Sequence, residues 1–113
     1  MNLNTEQANG VSIVRVGGSR LVDPLLSEFS TVVTQLIAAG EKKIIVDLSS
    51  VGYVDSATIG CLMDLYRQAS AAGGALKLAG VQKRVETMLT MTGAQNFLEI
   101  HPDEASAIKS FGS

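Results

Sequence analysis

The feature that most constrains this chain is the run KKIIVDL at residues 42–48, whose centre, Ile44, Ile45 and Val46, is apolar without interruption. A strand with one wet face alternates apolar and polar residues, so an unbroken apolar centre suits a strand buried on both sides. That demands a parallel sheet with helices packed on it. The flanking segments supply them. Before the run, Asp23-Pro24 reads as a helix start. Leu25, Phe29, Val32, Val33, Leu36 and Ile37 then recur at helical spacing until Gly40. After it, Ile59, Leu62, Met63, Tyr66 and Ala69 mark one face of a second helix that should stop at Gly73-Gly74.

The remaining segments repeat the alternation. VSIVRV at 11–16 has period two, and SRLV at 19–22 follows Gly17-Gly18, which reads as two strands joined by a tight turn and paired antiparallel. ALKLA at 75–79 reads as a strand, residues 81–92 as a third helix with Val85, Met88 and Leu89 inward, FLEI at 97–100 as the last strand, and 103–111 as a fourth helix. The expected architecture is α/β: a mixed sheet of about five strands, antiparallel at its N-terminal edge and parallel elsewhere, with about four helices and right-handed crossovers. At 113 residues one domain spanning 1–113 is expected. The apolar stripe of the first helix fits one sheet face, so the fold requires no second copy.

Composition narrows the function. A formal charge of −2 with scattered Lys and Arg offers no footprint for nucleic acid or an anionic membrane. At 4% aromatic content with no Trp, little material is left for stacking on bases. The polar N-terminus lacks a leader pattern and no window is apolar enough to span a bilayer, so a soluble, cytoplasmic protein is expected, consistent with a single cysteine, Cys61, read as near-core packing. His101, the only histidine, reads as a solvated turn residue, and no base accompanies Ser56 or Cys61 for hydrolytic chemistry. Gly17-Gly18 lacks the further glycine and the helix of a dinucleotide loop, and Asp47 with Asp55 falls short of the carboxylate cluster of a receiver site. No enzyme, metal or cofactor is expected.

The stretch SSVGYVDSATIG at 49–60 sits where functional groups gather in such folds, past the carboxyl end of a buried strand and at a helix start. Asp55 or Ser56 there serves as a helix cap. Alternatively, Ser56 is an exposed hydroxyl able to accept a phosphoryl group, whose charge the helix dipole would tolerate.

The run IIVDLSSVGYVDSATIGCLM resembles the STAS domain family, in particular its bacterial anti-sigma factor antagonists: a strand ending in Asp-Leu-Ser, a short loop, then Asp-Ser before a glycine-containing helix start. VGGSRLVD is similar to the family's first turn, and VQKRVETMLTMTGAQNFLEI to its third helix, Thr-Gly turn and last strand. The resemblance implies that Ser56 is the residue phosphorylated by an anti-sigma factor with serine kinase activity, with Asp55 the acidic residue before it and Asp47 a recurring acidic position nearby. It implies partner switching without turnover by this chain. Unphosphorylated, it would bind the kinase and so release a sigma factor, and a PP2C-type phosphatase would reset it. The implied docking surface is Ser19, Arg20, Asp23, Tyr53, Asp55, Ser56 and Thr58. The chain departs from the family where Thr58 replaces the first glycine, adding a second candidate acceptor, and where Ser19-Arg20 replaces an acidic residue in the first turn. The alternative is a non-enzymatic STAS binding subunit of a lipid-transport ATPase or a stressosome-type assembly, holding its partner constitutively.

Overall fold

The computed structural model describes residues 2–112. Strands β1 (Leu3–Ala8), β2 (Val11–Val16), β4 (Lys43–Asp47), β6 (Ala75–Ala79) and β7 (Ile100–His101) form a five-stranded sheet in the order β1-β2-β4-β6-β7. β1 and β2 are antiparallel, and the other neighbours are parallel. Two short strands, β3 (Arg20–Leu21) and β5 (Tyr53–Val54), make a separate parallel pair. The helices are α1 (Leu25–Ala38), α2 (Ser56–Ala71), α3 (Lys83–Met91) and α4 (Glu104–Ser110). The expected α/β class, mixed sheet and four helices are all present.

β4 is the middle strand, as its apolar centre requires. Alternation along it sends Ile44 and Val46 into the larger core, shared with Phe29 and Val33 of α1, Leu62 and Leu65 of α2, and Val85 and Leu89 of α3. Ile45 points to the other face, where Val11, Ile13, Ala79 and Ala107 form a smaller cluster under α4. Each of the three central residues is fully buried, stabilising the fold by roughly 1.5–3 kcal/mol apiece. Three helices therefore cover one face and α4 the other, leaving the carboxyl ends of β4 and β6 free to carry loops.

Three expectations need correction. Residues 20–21 do not pair with β2. They lie parallel to β5, and the antiparallel partner of β2 is β1, joined to it through Asn9-Gly10. Asn9 and Gly10 both have positive φ, 56° and 76°, which suits the two-residue hairpin turn that Asn-Gly favours. β1 is polar because it is an edge strand with its four central residues exposed. Secondly, the last strand is Ile100–His101, not 97–100. Gly93, at φ 77°, opens a short 3-10 turn at Ala94–Asn96 that leaves Phe97 exposed and buries Leu98. Thirdly, His101 is not a solvated turn residue. It is half-buried in β7, with Nε2 2.8 Å from a Glu99 carboxylate oxygen.

Candidate functional site

The start of α2 is built by two residues that cap one another. Asp55 has extended backbone, and its Oδ1 accepts the Thr58 backbone N–H at 3.0 Å, while the Thr58 hydroxyl faces the Asp55 backbone N–H at 3.4 Å. The Thr58 backbone N–H, followed by the Thr58 hydroxyl, holds the Asp55 carboxyl below the usual carboxylate range. The capping reading of Asp55 is thus correct, and it frees Ser56. Ser56 is the first residue of α2, exposed, with no side-chain hydrogen bond among the described residues.

Thr58 differs from Ser56 in every respect that matters for modification. It is fully buried, and its hydroxyl lies 2.5 Å from the backbone oxygen of Leu21 and 2.9 Å from Asp55 Oδ1. Both neighbours accept only, so the single hydroxyl proton is committed between them. Beside this helix start runs the β3-β5 pair. Gly52 and Tyr53 both donate their N–H groups to the Ser19 carbonyl, at 2.8 and 3.2 Å, and the Arg20 guanidinium sits 4.5 Å above the Tyr53 ring centroid. Tyr53 is 40% exposed, presenting an aromatic face next to a fixed cation.

Asp23 lies at the entry to α1, where its Oδ1 accepts from the Ser27 backbone N–H at 3.0 Å and from the Ser27 hydroxyl at 2.6 Å. A shallow groove between the first turn and α1 is bordered by Ser19, Arg20, Asp23, Leu25 and Glu28. The first turn thus stands beside the α2 start: Arg20 and Tyr53 are paired, Asp55 and Ser56 follow directly, and Asp23 begins the adjoining helix. Thr58 belongs to the underside of this surface.

Asp47 has another setting. Its Oδ1 accepts the Ser49 N–H at 2.8 Å, and its carboxyl neighbours that of Glu104, the first residue of α4. Burial and that neighbouring carboxylate push Asp47 up. Arg15 grips Glu104 with two N–H groups, at 2.7 and 2.9 Å, and draws it down to about 2. Arg15, on β2, therefore fastens α4 to the sheet, and Asp47 borders that contact. Reading the sequence alone missed Gln82, which donates to the Ser49 carbonyl at 2.9 Å and braces the loop before β5. Nothing in its sequence neighbourhood announces that role. Cys61 is half-buried against the larger core, and burial pushes its thiol up, away from thiolate chemistry. Among the described residues, no group of three or more His, Cys, Asp or Glu side chains is arranged to hold a metal ion, and no helix is long and apolar enough to cross a membrane.

This architecture recurs in known proteins. A Thermotoga neapolitana homolog of TM1081, named among anti-sigma factor antagonists, is 27% identical over 75 residues, and the match spans 66% of each chain, just under two thirds. The crystal structure of TM1081 from Thermotoga maritima superposes with a TM-score of 0.88 at 20% identity, covering 98% of this chain and 95% of that one. The anti-sigma factor antagonist SpoIIAA of Bacillus, in its unphosphorylated form, gives a TM-score of 0.82 at 16% identity, covering 98% and 97%. SpoIIAA is also known in a phosphorylated form. At these identities the structures share a fold, and kinship rests on the sequence pattern itself: the STAS domain family model matches residues 2–107, so this chain belongs to the STAS domain family.

Proposed function

We propose that this protein is an anti-sigma factor antagonist that works by phosphorylation-controlled partner switching, with Ser56 as the acceptor. The observation that carries this reading is the contrast between the two hydroxyls of the α2 start: Ser56 is exposed and uncommitted, Thr58 buried and bonded on two sides. In this reading Thr58 is no longer an alternative acceptor. The Thr58 substitution leaves Ser56 as the hydroxyl a kinase can reach at this helix start.

The chemistry of switching follows from charge. A phosphate on Ser56 adds about −1.5 to −2 at neutral pH, next to the ionised Asp55 and at the positive end of the α2 dipole. The helix start tolerates that charge. A partner docked over Tyr53, Arg20 and Ser56 does not, because it must desolvate the phosphate or face it with like charge. A loss of about 3 kcal/mol corresponds to more than a hundredfold in affinity, enough to release the partner. The bound partner is an anti-sigma factor with serine kinase activity, which supplies the ATP, and a PP2C-type phosphatase restores Ser56. The protein itself turns nothing over and acts in the cytoplasm.

The test is affinity capture from the host with Ser56→Ala and Ser56→Glu baits. The account expects a kinase-type anti-sigma factor on Ser56→Ala and its loss from Ser56→Glu. Equal retention by both would instead mark a constitutive binding subunit.

A further inference from the structure

Thr58 stands where the family pattern has a glycine, and its side chain does something a glycine cannot. Its hydroxyl, fully buried, reaches across the chain to the backbone oxygen of Leu21, a residue 37 positions earlier, at 2.5 Å. Leu21 is itself fully buried and belongs to β3, the strand that carries Arg20. The same hydroxyl sits 2.9 Å from Asp55 Oδ1, the cap of the helix that begins with Ser56. One side chain therefore touches both halves of the candidate docking surface. β3 needs such a tie, since it is two residues long and pairs only with the equally short β5.

We infer that Thr58 is a positioning residue: its hydroxyl locks the first turn, residues 19–23, to the start of α2, so that Arg20, Tyr53 and Ser56 form one rigid surface instead of a helix end beside a loose loop. The consequence for partner switching rests on the function proposed above; the lock itself does not. With the lock in place, a charge added at Ser56 meets a docking surface that cannot rearrange to evade it. Thr58 is too deeply placed to contact a partner, so its influence on binding passes through Leu21 and Asp55.

The test is amide hydrogen exchange on the isolated protein, read at Gly52 and Tyr53, whose N–H groups are protected only while residue Ser19 stays docked. In the unmodified protein these amides should open together with that of Thr58, with the same dependence on denaturant. Independent, easier opening of Gly52 and Tyr53 would overturn the lock without any variant. Thr58→Val keeps the shape and removes the hydroxyl. Exchange at Gly52 and Tyr53 should then rise tenfold or more, with amides in the second half of α2 unchanged, and Thr58→Ser should return it to within about twofold. Protection in Thr58→Val equal to that of the parent would contradict the inference, as would failure of Thr58→Ser to rescue. Exchange is read without a kinase, so this outcome is separable from whether Ser56 carries phosphate, which mass mapping decides.

Discussion

The Arg20 guanidinium lies over the ring of Tyr53, 4.5 Å from its centroid, across a parallel ladder only two residues long. The pair holds an aromatic face partly open to solvent beside a fixed positive charge, and Tyr and Arg are both residue types enriched among those that carry binding energy at protein interfaces.

Tyr53→Ala should therefore weaken partner binding by tenfold or more while moving the thermal midpoint little, because Tyr53 is an exposed residue. Titration calorimetry with the captured partner, beside a melting curve, checks it. Binding unaffected by Tyr53→Ala would place the interface elsewhere.

The Asp55 cap has a pH signature. Its folded-state carboxyl is held low by the Thr58 N–H, so its contribution is fully present above the unfolded value of about 3.9 and is lost as pH falls through the folded one. Asp55→Ala should lower the urea midpoint at pH 7, and the difference from the parent should narrow in acid.

Asp47 and Glu104 respond in opposite directions. Glu104, drawn to about 2 by Arg15, stabilises the fold above its unfolded value of about 4.3, and that contribution disappears as pH falls toward 2. Asp47 is pushed up, so its ionised form costs stability at neutral pH. In Asp47→Asn the amide oxygen still accepts from Ser49 and the amide N–H donates to Glu104. That variant should be more stable than the parent at pH 7, an advantage that shrinks as acid protonates Asp47 in the parent. Chemical denaturation across pH 2–7 reads both effects.

Gly80 closes the turn after β6 at φ 69°, where a Cβ would lie 2.9 Å from that of Ser49. Gly80→Ala should cost more than about 1 kcal/mol and disturb the Asp47–Ser49 turn, seen as a lower urea midpoint and shifted Ser49 amide resonance.

Much of this fold is written in hydrophobic periodicity. The unbroken Ile44-Ile45-Val46 run marks the central strand because both sheet faces are covered, and Phe29, Val33, Leu62 and Leu65 mark the helices on one of them. What periodicity does not carry is pairing. Arg20 and Leu21 look like a hairpin partner for β2 because they follow two glycines, yet their hydrogen bonds go to a strand over 30 residues later, held there by the buried Thr58 hydroxyl. β1 hides for the converse reason, since an exposed edge strand has no need of apolar alternation, and only its Asn9-Gly10 turn betrays it. At the candidate site, Asp55 and Ser56 are legible from their place before a helix. The separation of Ser56 from Thr58 lies in helix phase, since Thr58 is four residues before Leu62 and seven before Leu65 on the buried face of α2 and Ser56 is off it. The bond from Thr58 to Leu21, by contrast, is a tertiary contact that no periodicity carries.

The central claim is that Ser56 is the switch. Phosphopeptide mass mapping of the protein recovered from its native cells, in growth and under stress, tests it most directly. The account predicts phosphate on Ser56, with occupancy that changes between the two conditions, and none on Thr58. Absence of phosphate from Ser56 in both conditions, or phosphate on Thr58 instead, would contradict it.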